Sequence, residues 1–232
     1  MQRSTHTKTD NYLLDTLSPE ALMRLQPHLE PVDILLAEPI DSTEYVCFPV
    51  FGMISIVAMM QDGDSIEIWM IGREGLHSIS AILGDDSPFQ NAMVQLPGRA
   101  LRLRTLMLRQ EMQADDALRR LLLRYIQATM RAVAQSAACN RLHLLEQRCA
   151  RWLLACQDRA QADRFPMTHE FLAMMLGVRR PGGSLAAGSL QQNGLITYSH
   201  GTMVIVDRQG LEATSCECYA VVRDAFARVL TH

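Results

Sequence analysis

Short apolar runs separated by turn residues characterise the chain from Val32 to Arg104. In one run Ile66, Ile68 and Met70 occupy every second position, which is the period of a β-strand. Regular short strands with glycine-rich turns predict a small antiparallel barrel or sandwich, preceded by one or two short helices. The predicted strands are Val32–Ala37, Glu44–Phe48, Met53–Met60, Ser65–Ile71, Asn91–Leu96 and Ala100–Arg104.

The apolar period lengthens to three or four residues after Asp115. Asp115 and Asp116 stand at the positive end of a helix dipole and predict a long helix that ends at about Ala138. Two apolar stripes on one helix imply two partners, which we interpret as the chain's own barrel and the same helix of a second subunit. Burial of both stripes in one domain is the alternative. The first stripe is Leu118, Leu122, Ile126, Met130, Val133 and Ala137, and the second is Leu121, Tyr125 and Ala132.

A capped helix, a tight turn, a second helix and a short hairpin follow one another from Thr168 to Asp207. Thr168 suits an N-cap, Gly177 stands where the first helix must end, and Pro181 suits the first turn of the second helix. This order is typical of a winged helix-turn-helix, whose second helix enters the DNA major groove with its N-terminus first. A plain helical hairpin with solvated arginines is the alternative.

The first turns of the second helix carry side chains that suit DNA recognition. Arg179, Arg180 and Ser184 occupy these places, and arginine can donate two hydrogen bonds to guanine or bind phosphate. Gly182-Gly183 in the same turn costs about 1 kcal/mol of helix propensity per glycine. The candidate DNA-binding residues are Thr168, His169, Arg179, Arg180, Ser184, Ser189 and His200.

Charge is distributed unevenly along a chain whose net charge is only −3. Residues 1–98 contain 4 Lys and Arg against 14 Asp and Glu, whereas residues 99–232 contain 18 against 11. An acidic half joined to a basic half indicates that the second half approaches a polyanion. No run of about 18 apolar residues occurs and the N-terminus has no apolar signal core, so we expect a cytoplasmic protein with no membrane partner.

Six cysteines are spread along the chain without the C-x-x-C spacing of a zinc or redox site. In a reducing compartment buried thiols act as small hydrophobic groups, and a redox-sensing thiol is the alternative. The sequence has no ordered Ser/His/Asp set, no paired-carboxylate motif and no phosphate loop. We therefore expect no metal, no cofactor and no enzymatic activity. The cysteines are Cys47, Cys139, Cys149, Cys156, Cys216 and Cys218.

The order of barrel, long helix and winged helix resembles the cyclic-AMP receptor protein and fumarate–nitrate regulator (Crp/Fnr) family of bacterial transcription factors. The resemblance extends from about residue 30 to 208 and is strongest from Gly177 to Ile196. It implies an α+β fold: an N-terminal antiparallel β-roll like the cyclic-nucleotide-binding jelly roll (11–114), a long dimerisation helix (115–138), a C-terminal winged helix-turn-helix (139–210) and a helical tail (211–232). It also implies a homodimer on a pseudo-palindromic operator in double-stranded DNA, with RNA polymerase as a further candidate partner.

The ligand motifs of the family are absent from the matching positions. Members that bind cyclic nucleotide have a Gly-Glu pair and an Arg-Ser/Thr-Ala motif, whereas this chain has His77-Ser78-Ile79-Ser80 and Gln90-Asn91-Ala92. Residues 1–46 also lack the cysteines of the iron–sulfur members. We therefore expect no binding of cyclic AMP and assign no effector residues. The alternative function is a nucleotide- or small-ligand-binding sensor module whose winged helix contacts protein.

Overall fold

The computed structural model describes residues 8–40, 43–63, 65–85 and 91–231. Gln90, which stands where the resemblance places a phosphate-binding arginine, lies outside these described residues. The described positions group into two compact units. The first is drawn from Met1–Ile54, Ile71–Gln127 and Phe226–His232, and the second from Ser55–Met70 and Ala128–Ala225.

Two short helices open the chain, as the sequence predicts, and four strands follow. The helices are α1 (Tyr12–Asp15) and α2 (Pro19–Leu25), and the strands are β1 (Glu30–Ile34), β2 (Tyr45–Met59), β3 (Ser65–Ile71) and β4 (Asn91–Arg104). The strands lie in the order β1-β4-β2-β3, and β1 is antiparallel to β4. A short helix, α3 (Ile79–Leu83), falls between β3 and β4 in sequence. After β4 comes α4 (Thr105–Ala114), a helix that the sequence analysis missed.

The prediction of turns at residues 49–52 and 97–98 is wrong, because β2 and β4 each continue through these positions. The two strands approach so closely there that only glycine fits. A Cβ atom on Gly98 would collide with the carbonyl oxygen of Phe51, and one on Gly52 would lie 2.7 Å from the carbonyl oxygen of Leu96. Glycine in these strands therefore marks a close backbone approach rather than a turn.

The long helix α5 runs from Asp116 to Leu142, four residues beyond its predicted end. The residues of the first predicted stripe do not share one buried face: Leu118 and Leu122 are buried, whereas Met130 is 68% exposed. Steps of four residues advance about 40° around an α-helix, so such a stripe rotates away from the face on which it starts. Tyr125 is fully buried, and its hydroxyl donates to the carbonyl oxygen of Leu76 at 2.8 Å.

The second compact unit contains the predicted winged helix-turn-helix. Its three strands lie in the order β5-β7-β6, with β7 antiparallel to both neighbours. Strand β5 is not among the predicted strands. In chain order the elements are α6 (Leu145–Ala160), β5 (Arg164–Pro166), α7 (His169–Leu176), α8 (Arg180–Gln192), β6 (Ile196–Ser199), β7 (Thr202–Ile205), α9 (Arg208–Thr214) and α10 (Cys218–Leu230).

Helix α6 is the central element of this unit, since it contacts α7, α8 and α9. Its inward face is apolar and fully covered, with Trp152 and Leu153 at most 1% exposed. Arg208 at the start of α9 links that helix to its neighbours. Its guanidinium pairs with Asp158 of α6 at 2.9 Å and donates a hydrogen bond to the hydroxyl of Tyr219 of α10 at 2.6 Å. Helices α7, α8 and α9 thus all pack on α6.

Glu67 of β3 is a buried carboxylate within the same unit. Its two oxygens accept hydrogen bonds from the Ser55 hydroxyl at 2.6 Å and from the indole N–H of Trp152 at 2.8 Å. Burial raises the pKa of Glu67 from 4.5 to about 7, and the two hydrogen bonds oppose this rise.

Among the described residues, no helix is long and apolar enough to cross a membrane.

Candidate nucleic-acid interface

Helix α7 begins and ends as the sequence predicts. The Thr168 side chain is the N-cap and accepts a hydrogen bond from the backbone N–H of Phe171 at 3.1 Å. Gly177 closes the helix in the left-handed conformation at φ +63°. Thr168 itself is exposed, at the open end of the helix.

Helix α8 begins at Arg180, one residue before Pro181, and Arg179 is its extended N-cap residue. The carbonyl oxygen of Arg179 accepts hydrogen bonds from the N–H groups of Gly182 and Gly183, which forms the first turn. Both arginine side chains are exposed. Two cationic side chains therefore flank a helix N-terminus, where the helix dipole already favours an anion.

Gly183 allows α7 and α8 to cross at close range. A Cβ atom at this position would lie 3.0 Å from the Cβ of Ala173 and 3.1 Å from its Cα. A Cβ atom on Gly182 would make only ordinary contacts of 3.5 to 3.6 Å with Leu145 and Val178. Both glycines lower the helix propensity of this turn. At Gly183 this cost is offset, because the absence of a side chain lets α7 and α8 pack tightly.

His169 connects three parts of the motif. Its Nδ1 atom lies 2.6 Å from the Ser184 hydroxyl oxygen on α8, and its ring contacts the Tyr198 ring of β6 edge-on, with centroids 4.1 Å apart. The half-buried imidazole therefore fixes the N-terminus of α7 to α8 and to the wing. Among the candidate residues, His169 and Ser184 are brought into direct contact.

Ser189 is placed apart from the other candidates. It lies five residues beyond Ser184 on α8, and its hydroxyl donates to the carboxylate of Glu146 on α6 at 2.8 Å. Its side chain is half-buried on the face of α8 that packs against α6. The arginines and Ser189 thus occupy different faces of the helix.

His200 lies in the two-residue turn of the wing between β6 and β7. Both residues of that turn have positive φ, +49° at His200 and +73° at Gly201, which matches the tight hairpin turns of antiparallel strands. The Nδ1 atom of His200 lies 2.7 Å from the hydroxyl of Ser199. The exposed imidazole therefore sits at the tip of the wing.

Leu185 is a candidate that the sequence analysis did not select. It lies one residue after Ser184 on α8 and is 76% exposed. A leucine at helical spacing reads as a core residue, so hydrophobic periodicity alone could not identify it. Its position on the open side of the first turns of α8 suits an apolar contact with a thymine methyl group.

The fold and these contacts define a winged helix-turn-helix protein. Residues 147–214 match the Crp-like helix-turn-helix domain. No curated protein sequence matches the chain.

Three solved structures extend the likeness beyond this domain. FixK2 of Bradyrhizobium japonicum has a TM-score of 0.69 at 17% identity, and the match covers 81% of this chain and 98% of that one. A putative Crp/Fnr family transcriptional regulator of Eubacterium rectale has a TM-score of 0.67 at 18% identity, covering 88% and 98%. The c-di-GMP-responsive global regulator CLP of Xanthomonas campestris has 0.63 at 16%, covering 80% and 98%. The chain thus carries a Crp-like helix-turn-helix domain on the Crp/Fnr fold, which confirms the resemblance.

Proposed function

We propose that this protein is a sequence-specific DNA-binding transcriptional regulator that acts as a homodimer. The observation that carries the proposal is the N-terminus of α8, where the Arg179 and Arg180 side chains are exposed. In a winged helix-turn-helix this end enters the major groove first. The positive second half of the sequence supports the same function, because association with DNA depends on neutralising phosphates.

Within this proposal the candidate residues have different roles. Arg180 reads bases, while Arg179 and the Thr168 end of α7 hold phosphates. His200 at the wing tip contacts the DNA backbone beside the groove. His169 and Ser184 position the two helices, since they already bond to each other. Ser189 is left out of the contact set because it faces α6.

The dimer would form along α5. Leu123 is 47% exposed and Met130 is 68% exposed, and seven residues, two helical turns, separate them. Ala134 and Ala137 continue the same line as exposed small residues. Apolar residues at such spacing on an exposed helix face suit pairing with the same face of a second copy. Two-fold symmetry then implies a pseudo-palindromic operator with half-sites about 34 Å apart.

The β-roll strands would supply the sensing function, as c-di-GMP responsiveness is stated for CLP of Xanthomonas campestris. An effector would act by shifting the relative placement of the two recognition helices of the dimer. Cyclic AMP is not the expected effector, because residues 78–85 and 91–96 contain no cationic side chain to pair with a phosphate. RNA polymerase is a further candidate partner of the DNA-bound dimer.

Selection of binding sites from random double-stranded DNA tests this function. We expect the purified protein to enrich a pseudo-palindromic motif. The Arg179→Ala/Arg180→Ala double variant, which changes only exposed side chains, should bind DNA more weakly and enrich a motif that is flattened at one position in each half-site. Absence of any motif for the unchanged protein would contradict the proposal.

A winged helix that contacts protein is the second candidate function. The exposed Leu185 favours it, since a large apolar side chain on an open helix face also suits a protein interface. Under this alternative Leu185→Ser would abolish partner binding, whereas the double arginine variant would behave like the unchanged protein.

A further inference from the structure

Four potential metal ligands from two distant parts of the sequence converge within the second compact unit. Cys139 lies near the C-terminal end of α5 and His143 directly follows that helix, whereas Cys216 precedes α10 and Cys218 begins it. Their ligand atoms all lie within 4.8 Å of one another. The three cysteines are at most 4% exposed, and they form a small buried cluster of their own.

The local backbone explains how these four side chains meet. The N–H of His143 donates to the carbonyl oxygen of Cys139 at 3.1 Å, so the helical geometry continues and places both side chains on one face. Ser215 ends α9 in an extended conformation, and Cys218 is the first residue of α10. Cys216 and Cys218 therefore stand on either side of Glu217 where the linker from α9 enters α10.

Two distances between ligand atoms are close to those around a tetrahedral zinc ion. With Zn–S near 2.3 Å and Zn–N near 2.0–2.1 Å, tetrahedral geometry requires S···S distances of about 3.8 Å and S···N distances of about 3.6 Å. The sulfurs of Cys139 and Cys216 lie 3.5 Å apart. The sulfur of Cys218 lies 3.5 Å from Nδ1 of His143. We propose that Cys139, His143, Cys216 and Cys218 form a structural Cys₃His zinc site.

Neighbouring side chains support the ligands in the manner of a metal site. The Nε2 atom of His143 lies 3.2 Å from the Glu217 carboxylate, so Nδ1 is the nitrogen left to bind the metal. The side-chain amide of Gln135 donates to the sulfur of Cys218 at 3.1 Å. A metal-ligating histidine usually donates the N–H of its other ring nitrogen to a carboxylate, and this hydrogen bond fixes its tautomer.

Charge compensation is also available. Three thiolates carry one more negative charge than Zn²⁺ neutralises. Arg148 and Arg151 of α6 lie close enough to the Cys139 sulfur to interact with it electrostatically. Four protein ligands leave no open position, so the site would stabilise the fold rather than catalyse a reaction. It would attach the end of α5 to the α9–α10 turn. This proposal replaces the expectation of no metal site.

Zinc content tests the site directly. The full-length protein, purified under reducing conditions and incubated with zinc, should retain about one zinc ion per chain by elemental analysis after gel filtration. Cys216→Ser and His143→Ala should each lose it. Cys149→Ala is the matched control: Cys149 is equally buried but lies outside the cluster, so this variant should keep its zinc. Cobalt(II) in place of zinc should give the visible d–d absorption of a tetrahedral thiolate complex.

Glu217→Ala keeps the test informative where a ligand variant fails to fold, because the Glu217 side chain is 70% exposed. Competition with a chromogenic chelator should give a zinc affinity reduced about tenfold or more in this variant. An unchanged affinity would remove the proposed support of His143. Protein without zinc after incubation, equal zinc in Cys216→Ser, an iron–sulfur absorption spectrum, or a Cys139–Cys216 disulfide in the reduced preparation would overturn the proposal.

Discussion

The Nδ1 atom of His169 and the hydroxyl oxygen of Ser184 lie 2.6 Å apart, so the first residue of α7 is bonded to the N-terminal half of α8. Ser184 therefore satisfies its hydrogen bond within the protein. It also stands where a residue of a recognition helix could reach a base. Ser184 could therefore act in either of two ways: by contacting a base directly, or by holding α8 in position through its hydrogen bond to His169.

We expect Ser184→Ala to weaken binding to a selected operator by about 0.5–1.5 kcal/mol, the usual net contribution of one hydrogen bond. The preferred motif should not change, because Ser184 acts through the position of α8. Fluorescence anisotropy gives the affinity and a repeated site selection gives the motif. Ser189→Ala is the control and should leave DNA affinity unchanged. A changed base preference in Ser184→Ala would instead show direct base contact.

Arg180→Ala should remove a base preference, and Arg179→Ala should not. Losing a bidentate hydrogen bond to guanine costs about 1–3 kcal/mol, so the base preference at one position in each half-site should be lost. Losing a phosphate contact weakens all sequences alike and lowers the salt dependence of binding by about one unit per subunit. Site selection and salt titration of the two variants measure these effects. The opposite pattern would show that Arg179 reads the base and Arg180 binds phosphate, so that the assigned register of α8 on the DNA is wrong by one residue.

The two neighbouring glycines of α8 should respond oppositely to alanine. Gly182→Ala should stabilise the protein by about 0.5–1 kcal/mol, because the new methyl group meets only ordinary contacts and glycine weakens a helix. Gly183→Ala should destabilise it by about 1–3 kcal/mol, since the methyl group would force α7 and α8 apart. Urea unfolding followed by circular dichroism measures both. Equal effects would mean that the Ala173 crossing tolerates a larger side chain.

The proposed dimer face can be tested without disturbing the core. Leu123→Glu with Met130→Glu should give a monomer by sedimentation velocity that has lost high-affinity operator binding, because each charge would be unpaired in the interface. Leu106→Glu is the matched control, since Leu106 of α4 is 64% exposed and lies outside α5. Ile126 is unsuitable for this test because it is 7% exposed and a charge there would unfold the chain. A dimeric double variant would place the interface elsewhere.

Glu67 should make stability depend on pH in an unusual direction. Burial raises the pKa of Glu67 from 4.5 to about 7 in the folded chain, so the folded state binds more protons than the unfolded state between these values. Stability should then fall as the pH rises from 4.5 to about 7, by up to about 3 kcal/mol. Glu67→Gln should abolish this component. Urea unfolding at about pH 5 and pH 8 compares the two proteins, and identical pH dependence would contradict the prediction.

The helix-turn-helix could be predicted nearly to the residue because its signals are local. Thr168 caps α7 through its own side chain, and Gly177 ends it through its own backbone conformation. The roles of Ser189 and Gly183 depend on which helix lies opposite, and spacing along one helix cannot supply that information. The position of Leu185 was missed for the same reason.

Long-range contacts explain the remaining differences from the sequence predictions. Gly52 and Gly98 resemble turn residues until the crossing strand is known. The ligand cluster combines a C-x-x-x-H spacing on a helix with a C-x-C spacing in a linker, and neither is distinctive alone. Glu67 resembles a solvent-facing strand residue, whereas the indole that bonds to it lies 85 residues away in sequence.

The apposition of Cys139 and Cys216 also sets an order of events during synthesis. The two residues are 77 positions apart. At the usual ribosomal rate of about 5–20 residues per second, the first thiol is completed roughly 4–15 s before the second. During this interval Cys139 lacks the thiol that it contacts in the folded chain. The end of α5 can therefore reach its final packing only after Cys216 has been synthesised.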